Sequence, residues 1–240
     1  MKIGIIADIH SNLEALDAVL SALKKEKVDR TICLGDVVGY GPDPNACVEK
    51  VLDAADVVVA GNHDQAAIGL TSKNFFNDNA RLAIEWTENV LNPEWAEGLK
   101  ELPLVYEEGN LLAVHATLNE PAKWHYLFSE DEIVNNLEAM TLPLCFVGHS
   151  HVPIVFFLNP EHDVLAQHID EIRISTGTKY LINVGSVGQP RDGDPRAAFG
   201  ILEEDRFCLK RVDYDIAAVQ RKMRQYKLPL HLIDRLSRGQ

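Results

Sequence analysis

Apolar and polar positions alternate in blocks along this chain. Residues 3–7, 31–34, 57–60, 111–114 and 144–147 are continuous apolar runs of strand length. Runs of that kind suit central strands buried on both faces. Between the first two, Leu13, Leu16, Val19, Leu20 and Leu23 recur at helical spacing, with Ser11 or Asn12 placed to cap the helix. A second helix is predicted over residues 44–54, with Pro44 early in its first turn. Alternation of strand, helix and strand implies right-handed crossovers and a parallel sheet. Helical patterns follow over residues 80–91, with a start upstream near Asn74 also open, and over residues 93–99. After His151 the pattern turns strand-like, over residues 154–158, 172–175, 180–184, 198–202 and 207–212, which predicts a second sheet facing the first. Residues 216–237 close the chain as helical segments interrupted at Pro229.

Composition narrows the class. The chain has 240 residues, 46% of them hydrophobic and 25% charged, which reads as ordinary globular protein. No repeat or linker-like tract divides it, so residues 1–240 are expected to form a single domain. No apolar run approaches the roughly 18 residues that cross a bilayer. The opening stretch, residues 1–8, ends in a carboxylate and reads as a buried first strand rather than a signal peptide. Cys33, Cys47, Cys145 and Cys208 are scattered singly, so no disulfide framework is expected. These features make the cytoplasm the default location, with no membrane partner. The formal net charge of −13 argues against long nucleic acid, whose binding needs Lys and Arg to neutralise phosphates. A small phosphoester remains open as substrate, because bound metal ions would dominate its local field.

The chemistry lies at the ends of the apolar runs. Asp8-Ile9-His10, Gly35-Asp36, Gly61-Asn62-His63-Asp64, His115 and Gly148-His149-Ser150-His151 each follow one of the five predicted strands. Asp8 and His10, two apart, point the same way if the first strand continues through them. In a parallel sheet the carboxyl ends of the strands line one edge, where α/β proteins bind ligands. Any one of these residues alone is a cap, a turn residue or a satisfied histidine. Together they predict a single metal site, formed by Asp8, His10, Asp36, Asn62, His115, His149 and His151. Four imidazoles, two carboxylates and one amide suit Mn, Fe, Zn or Ni better than Ca or Mg. Two divalent ions against two carboxylates leave about two positive charges, which an anionic phosphoester needs.

The order D-x-H, G-D-x-x-G, G-N-H-D, H and G-H-S-H resembles the calcineurin-like metallophosphoesterase superfamily. Residues 183–194, from Asn183 through Gly185, Gly188, Pro190 and Arg191 to Asp194, resemble a segment of its small bacterial and archaeal phosphodiesterase branch. The resemblance implies two facing mixed β-sheets flanked by helices in αββα order, an α/β fold of the sandwich type. It implies that Asp8, His10, Asp36 and His151 hold one ion and Asp36, Asn62, His115 and His149 the other, with Asp36 bridging. A hydroxide bridging the two metals would attack phosphorus, and His63 matches the family's general acid. One departure bears on substrate. The phosphoprotein phosphatases of the superfamily read G-D-x-V-D-R-G, whereas residues 35–41 here have Gly39 and Tyr40 in place of that carboxylate and guanidinium. The reading is therefore hydrolysis of small phosphodiesters, with phosphomonoesters also open. The alternatives are a phosphoprotein or dinucleoside-polyphosphate phosphatase, or a non-catalytic scaffold of the same fold. Asn12 is a candidate phosphate contact and equally a helix cap. Arg191 is a second candidate contact, with a solvated surface position as the simpler reading. Trp124, His125 and Tyr126 are candidates for the pocket wall.

Overall fold

In strand β1 (Lys2–Ile6) the side chains of Ile3 and Ile5 face one way and that of Ile6 the other, and both faces find apolar partners. That two-sided burial sets the layering of the whole molecule. The computed structural model describes residues 1–158, 164–168 and 170–240. After β1 the strands are β2 (Arg30–Cys33), β3 (Val57–Val58), β4 (Val105–Glu108), β5 (Leu111–Val114) and β6 (Leu144–Val147). They continue with β7 (Ile154–Leu158), β8 (Val164–Gln167), β9 (Glu171–Arg173), β10 (Tyr180–Asn183), β11 (Ala197–Glu203) and β12 (Arg206–Val212). One six-stranded sheet has the order β3-β2-β1-β11-β12-β9, and the other β4-β5-β6-β10-β7-β8. Parallel pairs join β1, β2 and β3 in the first, and β5, β6 and β10 in the second; the other pairs are antiparallel.

The expectation that strands after His151 make up the second sheet needs correcting. Each sheet takes three strands from before His151 and three from after it. The cause is the open side of β1, whose edge groups would otherwise lack partners. Strand β11 fills that side antiparallel, pairing Lys2 with Glu203 and Ile5 with Gly200. Strand β10 does the same service for β6, in parallel.

Between the sheets, Ile5, Ile32, Leu34 and Phe207 from the first meet Phe146 and Ile182 from the second, all nearly inaccessible to solvent. Each such side chain contributes roughly 1.5–3 kcal/mol on burial. Helices α1 (Leu13–Glu26), α2 (Pro44–Ala54) and α5 (Pro93–Lys100) cover the outer face of the first sheet, through Leu16, Val19, Val48, Val51 and Leu99. Helix α6 (Glu130–Ala139) covers the outer face of the second through Ile133 and Leu137. The architecture is thus αββα. A short α3 (Asn62–Ala67), α4 (Asp78–Val90), α7 (Ile216–Gln225) and α8 (Leu230–Arg235) complete the helices, and Tyr40 packs into the cluster formed by α4, α7 and α8. Among the described residues, no helix is long and apolar enough to cross a membrane.

Some boundaries differ from the sequence reading. Strand β3 stops at Val58 rather than Ala60, because the Ala60 amide turns to donate to Pro103 O at 2.8 Å. Helix α4 begins at Asp78, capped by Asn77, and a separate 3₁₀ turn, Lys73–Phe75, occupies the upstream stretch.

Candidate metal centre

The apolar strands end one to four residues before the candidate ligands, and the backbone then bends sharply. Asp8, His10, Asp36, His149 and His151 all adopt positive φ, between 49° and 66°. A side chain held there carries strain of roughly 1 kcal/mol or more. The expected continuation of β1 through Asp8 and His10 is therefore not seen, and their convergence comes from two left-handed residues rather than strand alternation. Nor do the ligands line one sheet edge. Asp8, His10, Asp36 and Asn62 follow β1, β2 and β3 of the first sheet, while His115, His149 and His151 follow β5 and β6 of the second. The site sits where the same ends of the two sheets meet.

Hydrogen bonds stitch these loops together. Amides of Asp8 and His10 donate to Gly35 O (3.0 Å) and Asp36 O (2.9 Å), extending the β1–β2 contact beyond the strands. Across the sandwich, the His149 amide donates to both carboxylate oxygens of Asp8, each at 3.1 Å. A Cβ on Gly148 would lie 2.6 Å from Asp8 Oδ2, so this approach of the two loops requires glycine. The segment of residues 183–194 acts as a clamp: Ser186 Oγ and the Gly188 amide both donate to Asp8 O, at 2.8 and 2.9 Å.

The structure brings all seven candidate ligands together, each buried. Two groups of three, Asp8–His10–His151 and Asp36–His115–His149, each hold their donor atoms within 4.8 Å of one another, and His63 joins His10 and Asp36 in a third. Nδ1 of His10, His115 and His151 faces the carbonyl oxygens of Val38 (3.1 Å), Leu34 (2.8 Å) and Gln189 (2.6 Å). A carbonyl only accepts, so each Nδ1 carries the hydrogen and each neutral ring offers a lone pair at Nε2. Those lone pairs face other acceptors. His10 Nε2 lies 3.1 Å from His151 Nε2 and 3.5 Å from Asp36 Oδ2. His115 Nε2 lies 3.1 Å from Asn62 Oδ1 and 3.3 Å from Asp36 Oδ2. Buried acceptors facing acceptors repel unless positive charge lies among them. The donor set therefore fits divalent cations, as the prearranged Nδ1–H bonds to carbonyls also do.

Protons are the cations the protein can supply itself. Burial opposes a charge on His115, yet the Asp36 carboxylate outweighs it and raises that imidazole to about 9. Burial opposes ionisation of Asp36 too, but the facing His115 and His63 hold its carboxyl well below the usual range. Asp8 is pushed up to about 7, chiefly by burial. Burial drives His10 and His151 well below an ordinary imidazole and His149 down to about 3.

His63 follows Asn62 in α3, its ring against Tyr40 (centroids 4.4 Å apart), His10 (4.7 Å) and Phe76 (4.9 Å). Its Nδ1 is buried without a hydrogen-bond partner, and burial lowers its pKa to about 4. The competing role of helix cap falls to Asp64, whose carboxylate accepts from the amides of Gly61 and Val38, each at 3.0 Å. Asp64 was missed as a positioning residue, although a carboxylate three residues beyond a glycine N-cap is a recognisable capping signal. The carbonyls that orient the imidazoles leave no sequence signal. Gly39 has φ +96°, and a side chain there would run into His63 Nδ1.

Asn12 uses both ends of its amide, accepting from Ala15 N (3.1 Å) and donating to Gly188 O (2.8 Å). It caps α1 and ties the start of that helix to the segment of residues 183–194. Arg191 is not the solvated surface residue that was the simpler expectation. Its Nη2 donates to Gln189 Oε1 (3.0 Å) and Tyr40 Oη (3.3 Å), and its Nε is buried without a partner. It lines a cavity together with His149. Trp124, His125 and Tyr126 do form a wall beside the cluster, with the Tyr126 ring stacked on His149 at 4.1 Å.

Comparison with known proteins agrees with this geometry. Residues 1–206 match the model of the calcineurin-like phosphoesterase superfamily domain. The chain is 42% identical to the uncharacterised protein MJ0912 of Methanocaldococcus jannaschii, over 99% of this chain and 98% of that one. It is also 42% identical to a metallophosphoesterase from Sphaerobacter thermophilus, whose crystal structure covers 100% of both chains with a TM-score of 0.88. The hypothetical protein PH1004 of Pyrococcus horikoshii shares the fold, with a TM-score of 0.78 over 100% of this chain and 98% of that one, at 19% identity.

Proposed function

Because the chain belongs to the calcineurin-like phosphoesterase superfamily, we propose that it is a metal-dependent hydrolase of small phosphodiesters. The observation that supports this reading most is the acceptor-only cluster at the end of the sandwich, above all the two Nε2 atoms of His10 and His151 at 3.1 Å. Asp8, His10, Asp36 and His151 would hold one divalent transition-metal ion, and Asp36, Asn62, His115 and His149 a second. Asp36 stands between the groups, 3.5 Å from His10 Nε2 and 3.3 Å from His115 Nε2, as a shared ligand would. Imidazole-rich donors favour Mn, Fe, Zn or Ni. Such ions, when bound, supply the positive charge that polarises phosphoryl oxygens and acidifies water.

The protein's own groups do the rest. Water adds to phosphorus and releases a proton to solvent, the P–O bond to the departing alcohol breaks, and that oxygen leaves with a proton from His63, which solvent restores. Burial, reinforced by the charges of Arg191 and His115, holds His63 neutral, and an anionic phosphoester beside it favours the charged, proton-donating form. Arg191, with its unpartnered Nε, supplies a guanidinium near the place where phosphoprotein phosphatases carry theirs, but from a different loop. Gly39 leaves His63 without the carboxylate of those enzymes, which favours diesters over phosphoproteins. The expected setting is the cytoplasm, without long nucleic acid or membrane as partner.

The test is a substrate panel on protein stripped of metal and reloaded with Mn²⁺. Bis(p-nitrophenyl) phosphate should be hydrolysed faster than a phosphopeptide or a dinucleoside polyphosphate. A preference for the phosphopeptide would contradict the reading from Gly39.

A further inference from the structure

Two cavities share the Tyr126 ring in their lining. One, of about 640 Å³, is lined by His63, Leu70, Phe75, Phe76 and Trp124. The other, of about 530 Å³, is lined by Phe128, Ile154, Phe156, Asn183 and Arg191. His125, Tyr126 and His149 border both, so they form the partition. That partition is a stack of rings: Tyr126 on His149 with centroids 4.1 Å apart, then Phe128 on Tyr126 at 4.7 Å and only 7° from parallel. A pile of stacked rings thus runs from a candidate metal ligand out to the exposed Phe128. At the rim of each cavity stands a bare aromatic ring, Phe75 at 85% exposure and Phe128 at 77%. Large apolar groups gathered around one polar centre mark a binding surface.

We infer that the substrate is a phosphodiester joining two flat, ring-bearing groups, the chemistry of a dinucleotide, with one arm in each cavity. The inference deepens the phosphoesterase reading above and rests on it. Direction follows from what each cavity holds. His63, the proton donor to the leaving oxygen, lines only the larger cavity, so the departing arm stacks there among Phe75, Phe76 and Trp124. Arg191 lines only the smaller, so the arm that keeps the phosphate lies there against Phe128. Ring faces receive any base, because every base has a π-face.

The test compares two esters with one leaving group, bis(p-nitrophenyl) phosphate and methyl p-nitrophenyl phosphate, on Mn²⁺-loaded protein. They differ only in the retained arm. Phe128→Ala is expected to lower the ratio of their kcat/KM values about tenfold, the scale of one lost base–aromatic stack. Phe75→Ala is expected to lower both kcat/KM values together and so preserve the ratio. Both side chains are exposed, so the variants keep the fold, which circular dichroism checks. A ratio indifferent to Phe128→Ala, or moved equally by Phe75→Ala, overturns the assignment of the arms while hydrolysis by the wild type persists. A wild type that hydrolyses neither diester nor p-nitrophenyl phosphate overturns the phosphoesterase reading itself, and this inference with it.

Discussion

The core between the sheets and the donor cluster at its end are equally buried, yet they are built on opposite rules. In the core, Ile5, Ile32, Phe146, Ile182 and Phe207 satisfy one another by contact alone. In the cluster, buried acceptors face acceptors, and five of the seven side chains sit on left-handed backbone. Sequences do not keep such conflicts for stability, so the difference locates function. The core holds two sheets in register, and the cluster uses that rigidity to keep repelling groups close.

The contrast breaks most sharply at Asp36, which both halves of the cluster share. Asp36→Ala should remove bound metal and cut hydrolysis by more than the roughly 10–100-fold typical of an outer partner. Metal analysis alongside a diesterase assay reads both. Next in size is His63→Ala, expected to keep the metal but lower turnover about 10²–10⁴-fold. A matching loss of metal would make His63 a ligand instead of an acid.

A subtler break reverses the usual sign of mutation. Asp8 has its carboxyl raised to about 7 by burial, so in metal-free protein above that pH its charge opposes folding. Asp8→Asn should therefore melt higher than wild type when both are metal-free at pH 8, while losing activity. Calorimetry that finds the variant less stable would show that the amide hydrogen bonds from His149 matter more than the buried charge. His115 titrates in the same direction. With its folded pKa raised to about 9, it stabilises metal-free protein fully below about 6.5, the ordinary imidazole value, and that contribution is lost as pH rises through 9. Metal must displace this proton, so apparent metal affinity should climb as pH rises towards about 9 and level off above it, measured by titration calorimetry at several pH values. On the core side, Ile32→Val should cost only about 0.5–1.5 kcal/mol and leave the metal content of the folded protein unchanged.

Sequence legibility follows the same divide. Strands with apolar residues on both faces, such as Leu111–Val114 and Leu144–Val147, are readable to the residue, as is helix α2 with its early proline. Edge strands β4 and β8 are not, because half-exposed stretches such as Val105-Tyr106-Glu107-Glu108 carry no unbroken apolar run. Helix α6 was overlooked despite the Ser129–Glu132 capping box that opens it. The sheet assignment of late strands depends on which edge lacks a partner, a tertiary fact. At the site, residue types and order revealed the cluster, but the left-handed turns at Asp8 and His10, the clamp of residues 183–194 and the half-buried position of Arg191 all depend on long-range contacts.

The most direct measurement is the metal stoichiometry of purified protein beside that of Asp36→Ala and His115→Ala, by mass spectrometry of the metals after dialysis. Loops from both sheets should jointly retain two divalent transition-metal ions per chain, with each substitution, one in either sheet's loops, lowering that number. Wild-type protein that retains none when supplied with Mn, Fe, Zn or Ni, or variants that bind as the wild type does, would contradict the account.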